Sequence, residues 1–314
     1  MRVALVGLGS AGRRHTELLA ELGCQVVGFD PAGGGRADSA EEAMAAADAV
    51  VVASPSALHA EHVRAAVAAR RPVLVEKPAA ASASAAQALA RAAEEAGVVA
   101  GVAMNWRFHP AITAIGEWLG QGRLGRVALA RASFGFDLRQ WRPGTDHRRS
   151  YSARAALGGG IVLDAIHELD YLLWLLGPAA SVSAETGRVA ELETDVEDIA
   201  VASIRFASGA LAAVDLNFFE PAYRRGCVVA GTEGVARWEW GTGRVVLSRA
   251  GADDEVSEVA EDPRPTYRAE LRDFLECVGT GRAPRASLAD GAAAVALAES
   301  LKESARTGRR VTLD

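Results

Sequence analysis

The sequence predicts an α/β fold in two parts: a doubly wound parallel sheet, then an α+β domain built on a large, mostly antiparallel sheet. Three observations point there. Short apolar runs alternate with helix patterns as far as residue 122, a glycine-rich turn follows the first run, and after residue 125 the pattern changes to strand runs joined by short turns. The expected domains are therefore 1–122 and 123–314.

In order, strands are expected at 3–6, 25–29, 49–53, 73–75 and 98–102, with helices at 11–22, 40–46, 57–69, 83–96 and 110–119. Those strands are nearly continuous in small and branched apolar residues, as strands covered on both faces are. Beyond them, 127–136 is extended and a polar loop runs to about 155. One helix is expected over 161–176, closed by the stop signal Gly177-Pro178. Strand runs follow at 181–188, 199–206, 210–218, 226–230, 235–240 and 244–247, with hairpin turns at Ala207-Ser208-Gly209 and Gly241-Thr242-Gly243. Helices over 266–278 and 288–307 finish the chain.

Composition narrows the classes of function. With 314 residues, half of them apolar, the chain can bury one large core or two ordinary ones. A formal charge of −6 argues against nucleic acid as a partner, since phosphate binding needs a basic face. Cys24, Cys227 and Cys277 form neither a paired framework nor a metal-spaced cluster; no metal is expected, and the thiols fit a reducing cytoplasm. No apolar run is long enough to span a bilayer, and the apolar N-terminus leads into the glycine turn rather than to a cleavage site.

The first strand run, Val3-Ala4-Leu5-Val6, is followed by Gly7-Leu8-Gly9-Ser10-Ala11-Gly12 and then a helix. A glycine pattern in that strand-to-helix context marks a dinucleotide site. Gly7 permits the tight turn, Gly9 lets a pyrophosphate approach the backbone, and Gly12 lets helix and strand pack. The N-terminus of the helix that follows offers free N–H groups and a positive dipole end. The second strand ends at Asp30, placed to accept hydrogen bonds from the adenosine ribose and to repel a 2′-phosphate. NAD is therefore expected, with NADP as the alternative, because Arg36 lies beyond a flexible glycine stretch.

Other clusters fall at strand ends, where ligands bind in such sheets. Glu76-Lys77-Pro78 offers an ammonium that can polarise a substrate hydroxyl. Ser54-Pro55 with His59, and Asn105-Trp106-Arg107, lie at the equivalent edge, where a cofactor groove and a scaffold are equally good readings. Gly158-Gly159-Gly160 introduces an apolar helix carrying Asp164 and His167, three apart and so expected on one helical face. A buried carboxylate beside an imidazole is a common way to tune a general base. The loop over 138–155 carries Arg139, Arg142, Arg148, Arg149 and Arg154 with Trp141, His147 and Tyr151, which suits either an anionic substrate or a solvated basic surface.

In this order the clusters resemble the Gfo/Idh/MocA family of NAD(P)-dependent oxidoreductases, over essentially the whole chain. The resemblance extends to Gly231-Thr232-Glu233-Gly234 and to Ser304 through Arg309. It implies a Rossmann domain followed by an open-sheet domain that often oligomerises, here as a homodimer or tetramer. It also implies Lys77, Asp164 and His167 as the catalytic group. Gly7, Gly9, Ser10, Ala11, Gly12, Asp30, Ser54, Pro55, His59, Glu76, Lys77, Asn105 and Arg107 are then expected to bind cofactor. Lys77, Trp106, Arg142, His147, Tyr151, Asp164 and His167 are expected to meet the substrate. Many family members place three residues between the aspartate and the histidine; here only Ala165 and Ile166 intervene.

The expected activity is reversible oxidation of a secondary alcohol on a sugar, cyclitol or sugar nucleotide. Two rivals stand beside it: a hydrolase or lyase that oxidises its sugar transiently with held NAD, and a non-catalytic NAD-binding regulator. Retention of Lys77, Asp164 and His167 weighs against the regulator.

Overall fold

Five short runs of small and branched apolar residues form a parallel sheet in the computed structural model, which describes residues 1–313. Strand and helix alternate as β1 (Arg2–Val6), α1 (Ser10–Glu21), β2 (Gln25–Phe29), α2 (Ala40–Ala45), β3 (Ala49–Val52), α3 (Ser56–Ala68), β4 (Val73–Glu76), α4 (Ala83–Ala96) and β5 (Ala100–Ala103). The strand order is β2-β1-β3-β4-β5, parallel throughout. Because β2 lies on one side of β1 and β3 on the other, the order reverses at the carboxyl ends of β1 and β3, where such sheets bind ligands. Local chemistry sets the helix limits. Ser82 Oγ accepts from Ala85 N–H to start α4, and Gly97, at φ +63°, ends it.

The chain continues through α5 (Pro110–Gly120), β6 (Val127–Gly135), α6 (Ile161–Asp164), α7 (Ile166–Leu176), β7 (Ala179–Gly187), β8 (Ile199–Phe206), β9 (Leu211–Asn217), β10 (Arg224–Gly231), β11 (Gly234–Glu239), β12 (Arg244–Arg249) and β13 (Glu255–Glu258). It closes with α8 (Arg264–Thr280), α9 (Leu288–Thr307) and β14 (Val311–Thr312). The second sheet has nine strands in the order β13-β12-β11-β10-β6-β9-β8-β7-β14, and of these only the β6–β9 pair is parallel. Its strands alternate as half-buried strands do. In β8, Ala200, Ala202, Ile204 and Phe206 are buried while Val201, Ser203 and Arg205 face outward.

Contacts divide the molecule into two units: Met1–Asn105 with Arg264–Val295, and Trp106–Pro263 with the chain from Ala296 onward. The linear reading put both closing helices in the second domain; α8 and the first part of α9 instead pack with the parallel sheet. The cause is apolar: Leu271 and Phe274 of α8 complete the core formed by Val3, Leu5, Leu18, Leu19 and Leu74. Truncating a fully buried leucine or phenylalanine of that kind costs about 2–5 kcal/mol. The helix expected over 161–176 is broken at Ala165 (φ −94°, ψ 30°), so Asp164 ends α6 and His167 is the second residue of α7. Among the described residues no helix is long and apolar enough to cross a membrane.

Candidate active site

In the first unit, the backbone leaving β1 turns at Gly7 with φ +96°, and a Cβ there would lie 2.6 Å from the Ala53 and Ser54 backbone. A Cβ on Gly12 would lie 2.0 Å from the Gly7 carbonyl oxygen. Gly9 differs: nothing stands within 4 Å of its Cβ position. Two glycines therefore serve packing, and the third keeps the space at the start of α1 clear. No side chain caps α1, so the first-turn N–H groups of Ser10, Ala11 and Gly12 are offered to an anion. Asp30 is fixed beside this turn, Oδ2 accepting from Leu8 N–H at 2.6 Å and Oδ1 from Ala32 N–H at 2.8 Å. Each oxygen keeps a lone pair for a ribose hydroxyl. These residues fit a dinucleotide. Arg13 and Arg36 line one groove with Leu8 and Gly33 to Gly35, which places cations near the same loop.

At the end of β3, Ser54 Oγ lies 2.9 Å from Nδ1 of the half-buried His62. His59 is buried, with Nδ1 2.7 Å from the Pro78 carbonyl and Nε2 2.8 Å from that of Ser54. Burial pushes its pKa down against the two carbonyl contacts, which raise it, and the ring ties the loop after β3 to the loop after β4. Glu76 Oε1 accepts from His15 Nε2 at 2.8 Å and from Arg14 at 3.1 Å. Burial alone would raise this carboxyl, but the His15 hydrogen bond and the charges of His15, Arg14 and Lys77 hold it far below the carboxylate range. His15 is fully buried as the partner of Glu76. Lys77 follows at the strand end, half-buried. Asn105 donates from Nδ2 to Thr266 Oγ1 at 2.7 Å, both residues buried.

In the second unit, the triple glycine admits protein backbone. A Cβ on Gly159 would lie 2.3 Å from the Tyr151 carbonyl oxygen, and one on Gly160, at φ +112°, 2.4 Å from Glu197 Oε1. Glu197 receives Ile161 N–H on its carbonyl at 3.1 Å, and Lys302 Nζ lies 2.9 Å from its Oε1. The start of α6 is thus clamped on two sides. Asp164 and His167 are nearly buried, at 6% and 7% exposure. Tyr151 donates its hydroxyl to Asp164 Oδ1 at 2.6 Å.

Several expected ligands have other work. Trp106 is buried in the second core, stacked on His109 with centroids 4.8 Å apart and with the Arg225 guanidinium 4.0 Å from its ring centre; it offers no surface to a substrate. Arg107, expected at the cofactor, is 1% exposed and bidentate to Asp170 at 2.9 and 2.7 Å, a structural cation. His147 Nε2 is held 2.8 Å from the Leu192 carbonyl, so that nitrogen anchors the loop and is not open to a substrate. Of the loop arginines, Arg139 pairs with Asp137, Arg148 with Asp146 and Glu193, and Arg154 donates to the Arg148 carbonyl. Arg142 lies 5.3 Å from the Tyr151 ring centre. Sequence reasoning missed the anchoring of α7: Glu168 and Asp170 follow His167 on an apolar helix, and both are fully buried. Their signal was there, two carboxylates that burial obliges to pair, but the partners come from distant strands and turns.

Comparison with known proteins agrees with this architecture. Residues 1–104 match the family model described as an oxidoreductase family with an NAD-binding Rossmann fold, and residues 112–237 match that of the GFO/IDH/MocA C-terminal domain. The chain is 33% identical to D-xylose 1-dehydrogenase (NADP(+)) 2 of Haloferax volcanii, over 85% of this chain and 81% of that one. It is 30% identical to 1,5-anhydro-D-fructose reductase of Ensifer adhaerens, over 85% and 80% of the two chains. The fold matches that of levoglucosan dehydrogenase, solved with NADH and levoglucosan, with a TM-score of 0.90 at 20% identity, covering 100% of this chain and 99% of that one.

Proposed function

We infer that this chain, a member of the Gfo/Idh/MocA family of NAD-binding oxidoreductases, oxidises a secondary alcohol of a sugar, cyclitol or sugar nucleotide, or reduces the matching ketone. The observation that carries the reading is the nearly buried Asp164 next to a helix break, with His167 opening the following helix, in a chain whose first unit keeps a clear glycine cradle for a dinucleotide. Two relatives are named for D-xylose and 1,5-anhydro-D-fructose, which supports a sugar as the substrate class.

A carbinol carbon loses hydride readily only as its hydroxyl proton leaves. Bound NAD supplies the acceptor for that hydride. His167, oriented by Asp164, takes the proton, and the Lys77 ammonium polarises the oxygen and stabilises its developing charge. Asp30 favours NAD over NADP by engaging the ribose. Arg139, Arg148 and Arg154 are held by neighbouring groups, which leaves Arg149 and Arg142; of these Arg142, half-buried beside the Tyr151 ring, is the guanidinium assigned to an anionic group on the sugar. Self-association as a dimer or tetramer is assigned to the outer face of the nine-stranded sheet, where Val201 and Leu211 are exposed. A cytoplasmic location belongs to the same reading; the free cysteines Cys24, Cys227 and Cys277 support it.

The test is reduction of NAD and NADP, followed by absorbance, against D-xylose, inositols, anhydro-sugars, uronates and nucleotide sugars. Lys77→Ala and His167→Ala are each expected to lower turnover about 100- to 10,000-fold while NADH still binds. Normal rates in both variants overturn the assignment.

A further inference from the structure

We propose that Tyr151 is a positioning residue for Asp164, its phenol holding one carboxylate oxygen so that the other is presented in a single orientation. This rests on the reading of Asp164 as part of the catalytic group. The hydrogen bond, at 2.6 Å, has the length of a charge-assisted phenol–carboxylate contact, and each partner sits on restrained backbone.

Asp164 is the last residue of α6, and beyond it the chain breaks at Ala165 instead of continuing as helix. A carboxylate at the end of a single helical turn has less to hold it than one inside a long helix. The hydrogen bond from Tyr151 supplies that restraint. Tyr151 in turn belongs to a short 3-10 turn, Tyr151–Ala153, secured from several directions. Ser152 carbonyl accepts from Gly160 N–H at 3.0 Å, Ala153 carbonyl accepts from Asp195 N–H at 3.3 Å, and Asp195 Oδ1 accepts from Ala155 N–H at 2.7 Å. The absence of a Cβ at Gly159 is what lets this turn lie against the start of α6. One consequence concerns the triple glycine. It brings a second backbone close enough for the tyrosine one loop earlier to reach the aspartate four residues into the helix region.

Arg142 lies over the face of the same ring, at 5.3 Å from its centre. A cation on a ring face draws electron density from it, which makes the hydroxyl a better donor. Its part is to orient Asp164, and it transfers nothing. This differs from the expectation that Tyr151 touches the substrate, and the two roles separate in kinetics. Removing an interaction that the substrate makes equally in ground state and transition state raises KM, whereas a misoriented Asp164 lowers kcat.

The experiment is a double-mutant cycle of Tyr151→Phe and Asp164→Asn. It is read as kcat and KM for NAD reduction with the best substrate of the panel above, and as the carboxylate stretch in difference infrared spectra of aspartate-labelled protein. Tyr151→Phe keeps the ring under Arg142 and removes one hydrogen bond to a charged acceptor. It is expected to lower kcat about 10- to 100-fold with KM changed less than about threefold and NADH affinity unchanged. In the Asp164→Asn background the same substitution is expected to have almost no further effect on kcat. In the infrared, Tyr151→Phe is expected to shift a carboxylate band that Asp164→Asn removes.

A rise in KM at unchanged kcat, additive effects in the cycle, or no band shift overturns the positioning role. If the band shifts as expected but Asp164→Asn turns over normally, the hydrogen bond stands and the catalytic reading of Asp164 is what fails.

Discussion

Glu168 receives the Arg225 guanidinium bidentately, Nε at 2.6 Å and Nη2 at 3.0 Å, one residue beyond His167 and 57 positions away in sequence. Two residues further on, Asp170 does the same for Arg107. The helix that carries His167 is therefore tethered by two fully buried carboxylates, each met by a planar fork of donors. Burial alone would discharge Arg225, but the Glu168 charge and hydrogen bonds raise its pKa instead, so the pair stays ionised. Trp106 and Phe134 lie 4.0 and 4.7 Å from the guanidinium carbon and shield it from water.

Breaking that pair leaves a buried, unopposed charge. Glu168→Gln is expected to cost about 3–5 kcal/mol of unfolding free energy in urea titrations. Replacing both partners with apolar residues of similar volume, as in Glu168→Leu with Arg225→Met, is expected to recover more than half of that loss. A single substitution that costs less than about 1 kcal/mol contradicts the pairing.

The three glycines of the first turn make a contrast in which folding and binding separate. Gly12→Ala drives a Cβ to 2.0 Å from a backbone oxygen and is expected to disrupt the turn, lowering both melting temperature and NADH affinity. Gly9→Ala meets no protein atom within 4 Å and is expected to fold normally. Its methyl occupies the space a pyrophosphate needs, so NADH is expected to bind about tenfold or more weakly in a fluorescence titration. Unchanged affinity in Gly9→Ala places the pyrophosphate elsewhere.

His109 makes stability depend on pH. Burial first, and the Arg225 charge second, push its pKa from 6.5 down to about 4. The fold holds the neutral ring, while the unfolded chain takes up a proton below about 6.5. Stability from this group is thus complete above pH 6.5 and is lost as pH falls toward 4, about 3 kcal/mol over the whole range. Denaturation at stepped pH is expected to show that slope. His109→Asn keeps a side-chain acceptor for the cap on α5 and is expected to flatten it.

Glu76 acts in the same direction at lower pH. Its carboxyl is held below the usual 4.5 in the fold, so the stability it contributes is present above that value and fades as pH falls below it. Glu76→Gln is expected to cost about 1–3 kcal/mol at pH 7, with the gap to the parent narrowing in acid. Because its oxygens serve His15, Arg14 and the Lys77 N–H, the substitution is expected to change stability more than NADH binding.

Much of this was legible from residue order, and the exceptions have physical causes. The strand at 25–29 and the helices at 83–96 and 288–307 match their observed limits, because apolar periodicity marks them. The edge strands β13 and β14 were not read: Glu-Val-Ser-Glu and Val-Thr bury almost nothing and carry no apolar signal. The break at Ala165 is invisible to periodicity, since apolar residues continue on both sides of it. Asp164 and His167 stood out as polar groups in an apolar helix. Trp106 and Arg107 looked equally like site residues; Trp238, Arg225 and Asp170, which draw them into the interior, are 63 to 132 positions away.

The return of α8 to the parallel sheet means that the nucleotide-binding part is not a contiguous stretch of polypeptide. An expression fragment ending near residue 122 would lack the side chains of Leu271 and Phe274 that finish its interior, and would present the apolar flank of α1 to water. Dissection experiments on this enzyme therefore need a spliced design that rejoins 264–295 to the first hundred residues, because a simple truncation separates neither part intact.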